Sequence, residues 1–125
     1  MSSDVTFGRE SLAQVRSADL DALLMRHYLE IAHFKDIPLE VDWDRYAIAE
    51  EQGRLRAFTA RAGTQLIGYA GFLVGSNLHF KTSLQAVQDV LFLVPEYRNR
   101  HIGLQFLRYC DEELRSEGVQ AVYLH

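Results

Sequence analysis

The apolar positions change their period along the chain, and each change marks an element. Leu20, Leu23, Leu24, Tyr28 and Ile31 fall on one helical stripe, which predicts a helix over residues 18–33. Ser17 is a good N-cap for it, and Asp19 and Asp21 set acids in its first turn, where the helix dipole favours them. Before it, Val5 through Val15 reads as a first strand. After it, Pro38 breaks the pattern and residues 34–39 read as a loop. Asp42 caps a short helix running from Trp43 to about Glu51 and ending near Gly53. Residues 55–61 and 65–74 alternate as strands around the turn Ala62-Gly63-Thr64, so they predict a hairpin. Gly68 and Gly71 within the second strand point to close backbone approach or a bulge.

A connection over residues 75–83 leads to the strand 84–94, rich in β-branched and aromatic residues. Phe106, Leu107, Cys110 and Leu114 then recur at helical spacing, predicting a helix from about Ile102 to Ser116 that Gly118 closes. Residues 119–124 read as a last strand. Strand, helix and strand in that order imply a right-handed parallel crossover. The fold class is therefore α+β, an antiparallel meander running into one parallel pair, with two helices ahead of the meander.

Between the strand 84–94 and the helix lies Pro95-Glu96-Tyr97-Arg98-Asn99-Arg100-His101. A turn feeding a helix N-terminus is an anion cradle, because the first backbone N–H groups of the helix point outward where its dipole is positive. Arg98 and Arg100 add charge, and a pyrophosphate is the ligand such a turn suits.

At 125 residues the chain is long enough for one domain with a real core. Its 48% hydrophobic and 24% charged content is that of a soluble globular protein. No apolar run approaches a membrane span, and Met1-Ser2-Ser3-Asp4 does not open a signal peptide. A net charge of −4 without a basic run argues against nonspecific nucleic-acid binding and suits a positive substrate. The single Cys110 precludes an internal disulfide and fits a reducing, cytoplasmic setting; its place on an apolar helix face makes it a core residue rather than a nucleophile.

The segment Arg98-Asn99-Arg100-His101-Ile102-Gly103, with Pro95-Glu96-Tyr97 before it and Leu104 after, resembles the phosphate-binding signature of the GNAT superfamily of acyl-CoA-dependent N-acyltransferases. That signature is Arg or Gln, two residues, Gly, one residue, then Gly or Ala. Arg98 and Gly103 match it, and His101 stands where the first glycine belongs. Residues 17–40 and 84–124 look most like the members found in tailed phages and bacteria. The resemblance implies an acetyl-CoA-dependent N-acetyltransferase acting on a small-molecule amine, a protein lysine or a protein N-terminus. It implies a mixed sheet whose parallel pair splays to admit pantetheine, with Leu93 and Val94 in contact with it. It assigns the backbone of Arg98, Asn99, Arg100, His101, Ile102 and Gly103 to the pyrophosphate. The cradle needs an uncrowded backbone, so His101 counts against it unless that residue takes ordinary helical dihedrals with its ring turned outward.

Three side chains are candidates for acid–base work. Asp89 sits in an apolar strand beside the expected cleft, where a desolvated carboxylate can act as a base; it is equally placed to organise structure by hydrogen bonding. Gln88 faces the other side of the sheet, and either of the two can be the cleft residue. His27 and His33, in the region that covers the acceptor site in the resembled family, can accept a proton near neutral pH. They are six residues apart and do not share a helix face, so no metal site is expected. Trp43 and Tyr46 either anchor the short helix or wall the acceptor pocket. The family usually continues with a further helix and a β-hairpin, so the domain of residues 1–125 is expected to be truncated after its fifth strand. The exposed C-terminal strand edge is then expected to pair with a second copy or a protein partner. An alternative function is a catalytically degenerate scaffold that binds another protein, such as a phage-borne modulator of a host factor.

Overall fold

A computed structural model describes residues 5–31, 37–76 and 82–124. Strand β1 is Val5–Arg9, and helix α1, Leu12–Val15, follows at once. The expected strand to Val15 therefore ends early. Ser11 accepts from the Gln14 N–H while the Gln14 side chain accepts from the Ser11 N–H, a capping box that starts a helix turn in its place. Helices α2 (Ala18–Ile31) and α3 (Trp43–Glu51) come next. Ser17 Oγ accepts from the Leu20 N–H, and Asp42 accepts from the Arg45 N–H, so both expected caps are made. Then follow β2 (Leu55–Ala62), β3 (Gln65–Ser76) and β4 (Leu84–Leu93). The turn α4 is a 3₁₀ helix, Pro95–Arg100; α5 is Ile102–Ser116; β5 is Ala121–Tyr123.

The five strands lie in sequence order in one sheet. β1 to β4 are antiparallel and β4–β5 is parallel, giving the mixed sheet of the expected α+β class. The period-2 alternation sorts side chains to two faces. On one face Phe58, Ala60, Leu66 and Phe72 meet Phe106, Cys110 and Leu114 of α5, all almost fully buried. Phe7 stacks on Phe106, with ring centroids 5.3 Å apart. On the other face lie α1, α2 and α3.

Two local features shape the site. At Gly68 a Cβ would stand 2.8 Å from the Phe92 carbonyl oxygen and 3.0 Å from Leu93 Cδ1, so only glycine allows β4 this close. Further along, Gly71 pairs with Val90 and Phe72 with Gln88, leaving Asp89 as the extra residue of a β-bulge.

Candidate active site

β4 and β5 share only three registered pairs, Gln85 with Ala121, Ala86 with Val122 and Val87 with Tyr123. From Gln88 to Leu93, β4 has no strand beside it on that edge among the described residues. The direction of the main chain along that edge can be worked out. The Val94 N–H donates to the Ile67 carbonyl at 2.9 Å, so Val94 faces β3. Antiparallel bonding alternates along a strand. Phe92 therefore also faces β3, while Leu91 and Leu93 turn their N–H and C=O groups into the gap. The Leu93 carbonyl on that edge already accepts from Arg98 Nε at 2.7 Å. Val94 was expected to meet pantetheine as well; its N–H is committed to β3, and Leu91 takes its place on the gap edge.

The gap ends at α4 and the start of α5. His101, the junction between them, has φ 60° and ψ 9°. It is the only described non-glycine residue with positive φ. The condition of ordinary helical dihedrals at His101 is not met. The chain keeps the left-handed bend that a glycine would adopt and carries the strain of a Cβ there. No side chain caps α5, and the first N–H with an intrahelical partner is that of Gln105, which donates to the His101 carbonyl at 3.1 Å. The N–H groups of Ile102, Gly103 and Leu104 precede that bond and point out of the helix end. At Gly103 a Cβ would meet only Leu93 Cδ2, at an ordinary 3.7 Å. Asn99 and Arg100 lie in α4, within the same turn.

Arg98 does something the sequence did not suggest. Its guanidinium grips both carboxylate oxygens of Glu30 on α2, each at 2.8 Å, and lies over the Phe92 ring. One helical turn earlier on α2, Arg26 holds Glu96 with contacts of 2.8 and 3.4 Å. Each carboxylate is held below its usual range, Glu30 chiefly by its hydrogen bonds to Arg98 and Glu96 by those to Arg26. Two crossed ion pairs thus brace α2 against the turn. The spacing of Arg26 and Glu30 on α2 and of Glu96 and Arg98 on α4 was visible in the sequence, but nothing there matched one pair to the other. The cradle keeps its backbone donors, while the charge of Arg98 is spent on this brace.

The face of the sheet beneath α1, α2 and α3 holds a cavity of about 650 Å³. His27, Tyr46, Tyr69, Gly71 and Val90 are among its lining residues. The His27 ring stacks on Phe92 at 4.8 Å, and its Nδ1 is 2.8 Å from the Tyr69 hydroxyl. Burial is the main cause that lowers the His27 pKa, so the ring is neutral at pH 7. Burial likewise raises the Tyr69 hydroxyl pKa. The Tyr46 hydroxyl donates to the Asp89 carboxylate; burial first, and that bond second, raise its pKa too. Asp89 itself is exposed and borders a neighbouring groove of about 540 Å³, in which Tyr46 also takes part.

The bulge fixes this arrangement. Gln88 pairs opposite Phe72 on the α5 face, whereas Asp89 reaches Tyr46 on the α2–α3 face. His27 and Asp89 therefore flank one region, linked by the two tyrosines, and Gln88 is kept from it. His33 lies outside the described residues. Among those residues no group of His, Cys, Asp or Glu can hold a metal ion, and no helix is long and apolar enough to cross a membrane.

The site therefore combines a mixed sheet with one parallel pair, a bulged fourth strand and an uncapped helix that follows it. The chain belongs to the acetyltransferase (GNAT) family, whose model matches residues 18–125. Among solved structures it is similar to an aminoglycoside acetyltransferase from an uncultured soil metagenomic sample, with 12% identity, a TM-score of 0.74, and coverage of 98% of this chain and 77% of that one. It is similar also to ribosomal-protein-alanine N-acetyltransferase from Brucella melitensis biovar Abortus, with 15% identity, a TM-score of 0.69, and coverage of 97% and 79%. A third is a predicted acetyltransferase with acetyl-CoA from Clostridium acetobutylicum, with 14% identity, a TM-score of 0.69, and coverage of 97% and 80%. No curated protein matches the chain.

Proposed function

We propose that this protein moves an acetyl group from acetyl-CoA to a primary amine. One observation carries the reading: the bend at His101 takes a left-handed form without glycine and leads into a helix start with three outward N–H groups beyond the end of β4. A chain that had lost the ligand would have no reason to keep that strain. The pyrophosphate takes the N–H groups of Ile102, Gly103 and Leu104, with the backbone of Arg98, Asn99, Arg100 and His101 forming the approach. Pantetheine runs along β4 and pairs with the gap-facing main chain of Leu91 and Leu93.

The thioester then lies near the bulge, beside the cavity under α2 and α3. The amine lone pair attacks the carbonyl carbon, the carbonyl oxygen takes the displaced electron pair, and collapse breaks the C–S bond. The proton lost by nitrogen balances the thiolate that leaves. His27, neutral and half-buried, is one acceptor for that proton. Asp89, hydrogen-bonded by Tyr46, is the other. The Tyr46 and Tyr69 hydroxyls stay protonated at neutral pH and can relay or donate a proton. The degenerate-scaffold alternative drew in part on the loss of glycine at residue 101, and the left-handed bend speaks against that part.

Thermal denaturation with acetyl-CoA tests the proposal. A ligand at a hundred times its dissociation constant adds about 2.7 kcal/mol of stability. For a 125-residue chain this is roughly 10 °C in Tm. An unchanged Tm at millimolar acetyl-CoA would sink it.

A further inference from the structure

Resting on the transferase reading, we infer that the acceptor is a primary monoamine on an apolar aryl or alkyl body, bound in the cavity between the sheet and helices α1 to α3. The cavity has the volume of a small-molecule site rather than of a crevice between packed side chains. Its wall is mostly aliphatic and aromatic, with Leu24, Leu39, Val41 and Trp43 among its residues.

The charge on that wall decides the class of amine. Asp42 is its only carboxylate among the described residues, and that side chain already accepts the Arg45 N–H as the cap of α3. Among the described residues the other polar side chains of the wall are His27, the Trp43 indole and hydroxyls, with Asp89 just outside it against Tyr46. A polyamine or aminoglycoside would bring several ammonium groups, more than Asp42 and the neighbouring Asp89 can meet, and the rest would be stripped of water against an apolar wall. A monoamine brings one, and that one must be deprotonated before it can attack. An apolar wall favours the neutral amine for the same reason that it keeps His27 neutral. The cavity thus selects its substrate and prepares the nucleophile by one physical effect.

The polar end lies where the chemistry requires it. Tyr46, Tyr69, Gly71 and Val90 form the floor next to the bulge at Asp89, on the β4 segment beyond its registered pairs with β5. An amine held there with its apolar body toward Leu24 and Leu39 points its nitrogen at the gap. The lone pair adds to the thioester carbon, the sulfur leaves with the C–S electrons, and the nitrogen's proton passes to it, giving an amide and a free thiol.

The test measures binding and turnover separately. Calorimetry of the intact protein with tryptamine, phenethylamine and kanamycin, each without nucleotide, tests the cavity alone. Acetyl-CoA titration on the same sample tests the transferase reading. Thiol release with all three amines then gives kcat/KM. The arylalkylamines should bind saturably and exceed kanamycin by about 100-fold in kcat/KM, or in affinity if turnover is absent. Leu39→Glu, at a position already 36% exposed, adds a carboxylate to the wall without emptying the core; it should narrow that preference at least roughly 10-fold. Failure of acetyl-CoA to bind overturns the enzyme reading and leaves the amine titration to judge the cavity. Absence of saturable arylalkylamine binding at millimolar concentration, or a preference for kanamycin, overturns the inference while the transferase reading stands.

Discussion

Replacing His101 by glycine tests the strain at the bend proposed to bind the pyrophosphate. The residue sits at φ 60° and ψ 9°, and its side chain makes no capping hydrogen bond to repay that conformation. A left-handed conformation costs an L-residue about 1–2 kcal/mol. Glycine removes that cost but brings extra freedom in the unfolded chain, worth about 0.5–1 kcal/mol in the other direction. The balance for His101→Gly is a gain of roughly 0.5–1 kcal/mol. At about 2.1 cal/mol/K per residue, unfolding 125 residues releases roughly 0.26 kcal/mol/K. The gain therefore appears as a rise of about 2–4 °C in Tm. His101→Ala keeps the Cβ and should show no such gain. Calorimetric or circular-dichroism melts of the three proteins provide the comparison. A lower Tm for the glycine variant, or an equal rise for the alanine variant, would refute the strain argument. Acetyl-CoA affinity should rise in the glycine variant alone, because the uncrowded bend admits phosphate oxygens more closely.

Gly68→Ala should cost about 1–3 kcal/mol in denaturant unfolding, because the new Cβ meets the Phe92 carbonyl and Leu93 Cδ1; a neutral result would contradict the close approach of β4. Stability should fall as pH drops below the ordinary histidine range: His27 binds a proton more readily unfolded than folded, so its contribution is complete above the unfolded pKa and is lost toward the lower folded one. That component should vanish from the pH profile of His27→Phe. Cys110 is almost fully buried with its thiol pushed up to about 12, so a thiol reagent should label it only as fast as the protein unfolds. A double-mutant cycle on Arg98→Gln and Glu30→Gln should give a coupling that shrinks with added salt, as expected for a half-exposed ion pair; a salt-independent coupling would count against the brace.

Local rules determined most of the elements. Capping chemistry set the starts of α2 and α3 through Ser17 and Asp42, and positive φ at Gly53, Gly63 and Gly118 ended elements where their glycines stand. Apolar periodicity set α5, and the strand–helix–strand order set the parallel pair. The turn before α5 was legible for the same reason: it is built from consecutive residues. α1 was missed because its signal is a four-residue capping box inside an apolar run. What the sequence left open was pairing across distance. Nothing local marks Asp89 as a bulge, since that depends on which residues of β3 lie opposite. Nothing local joins Arg26 and Glu30 to Glu96 and Arg98, or brings Tyr46 and Tyr69 between Asp89 and His27. Periodicity and caps report each residue's own backbone, whereas ion pairs, shared cavities and strand register are set by partners tens of residues away.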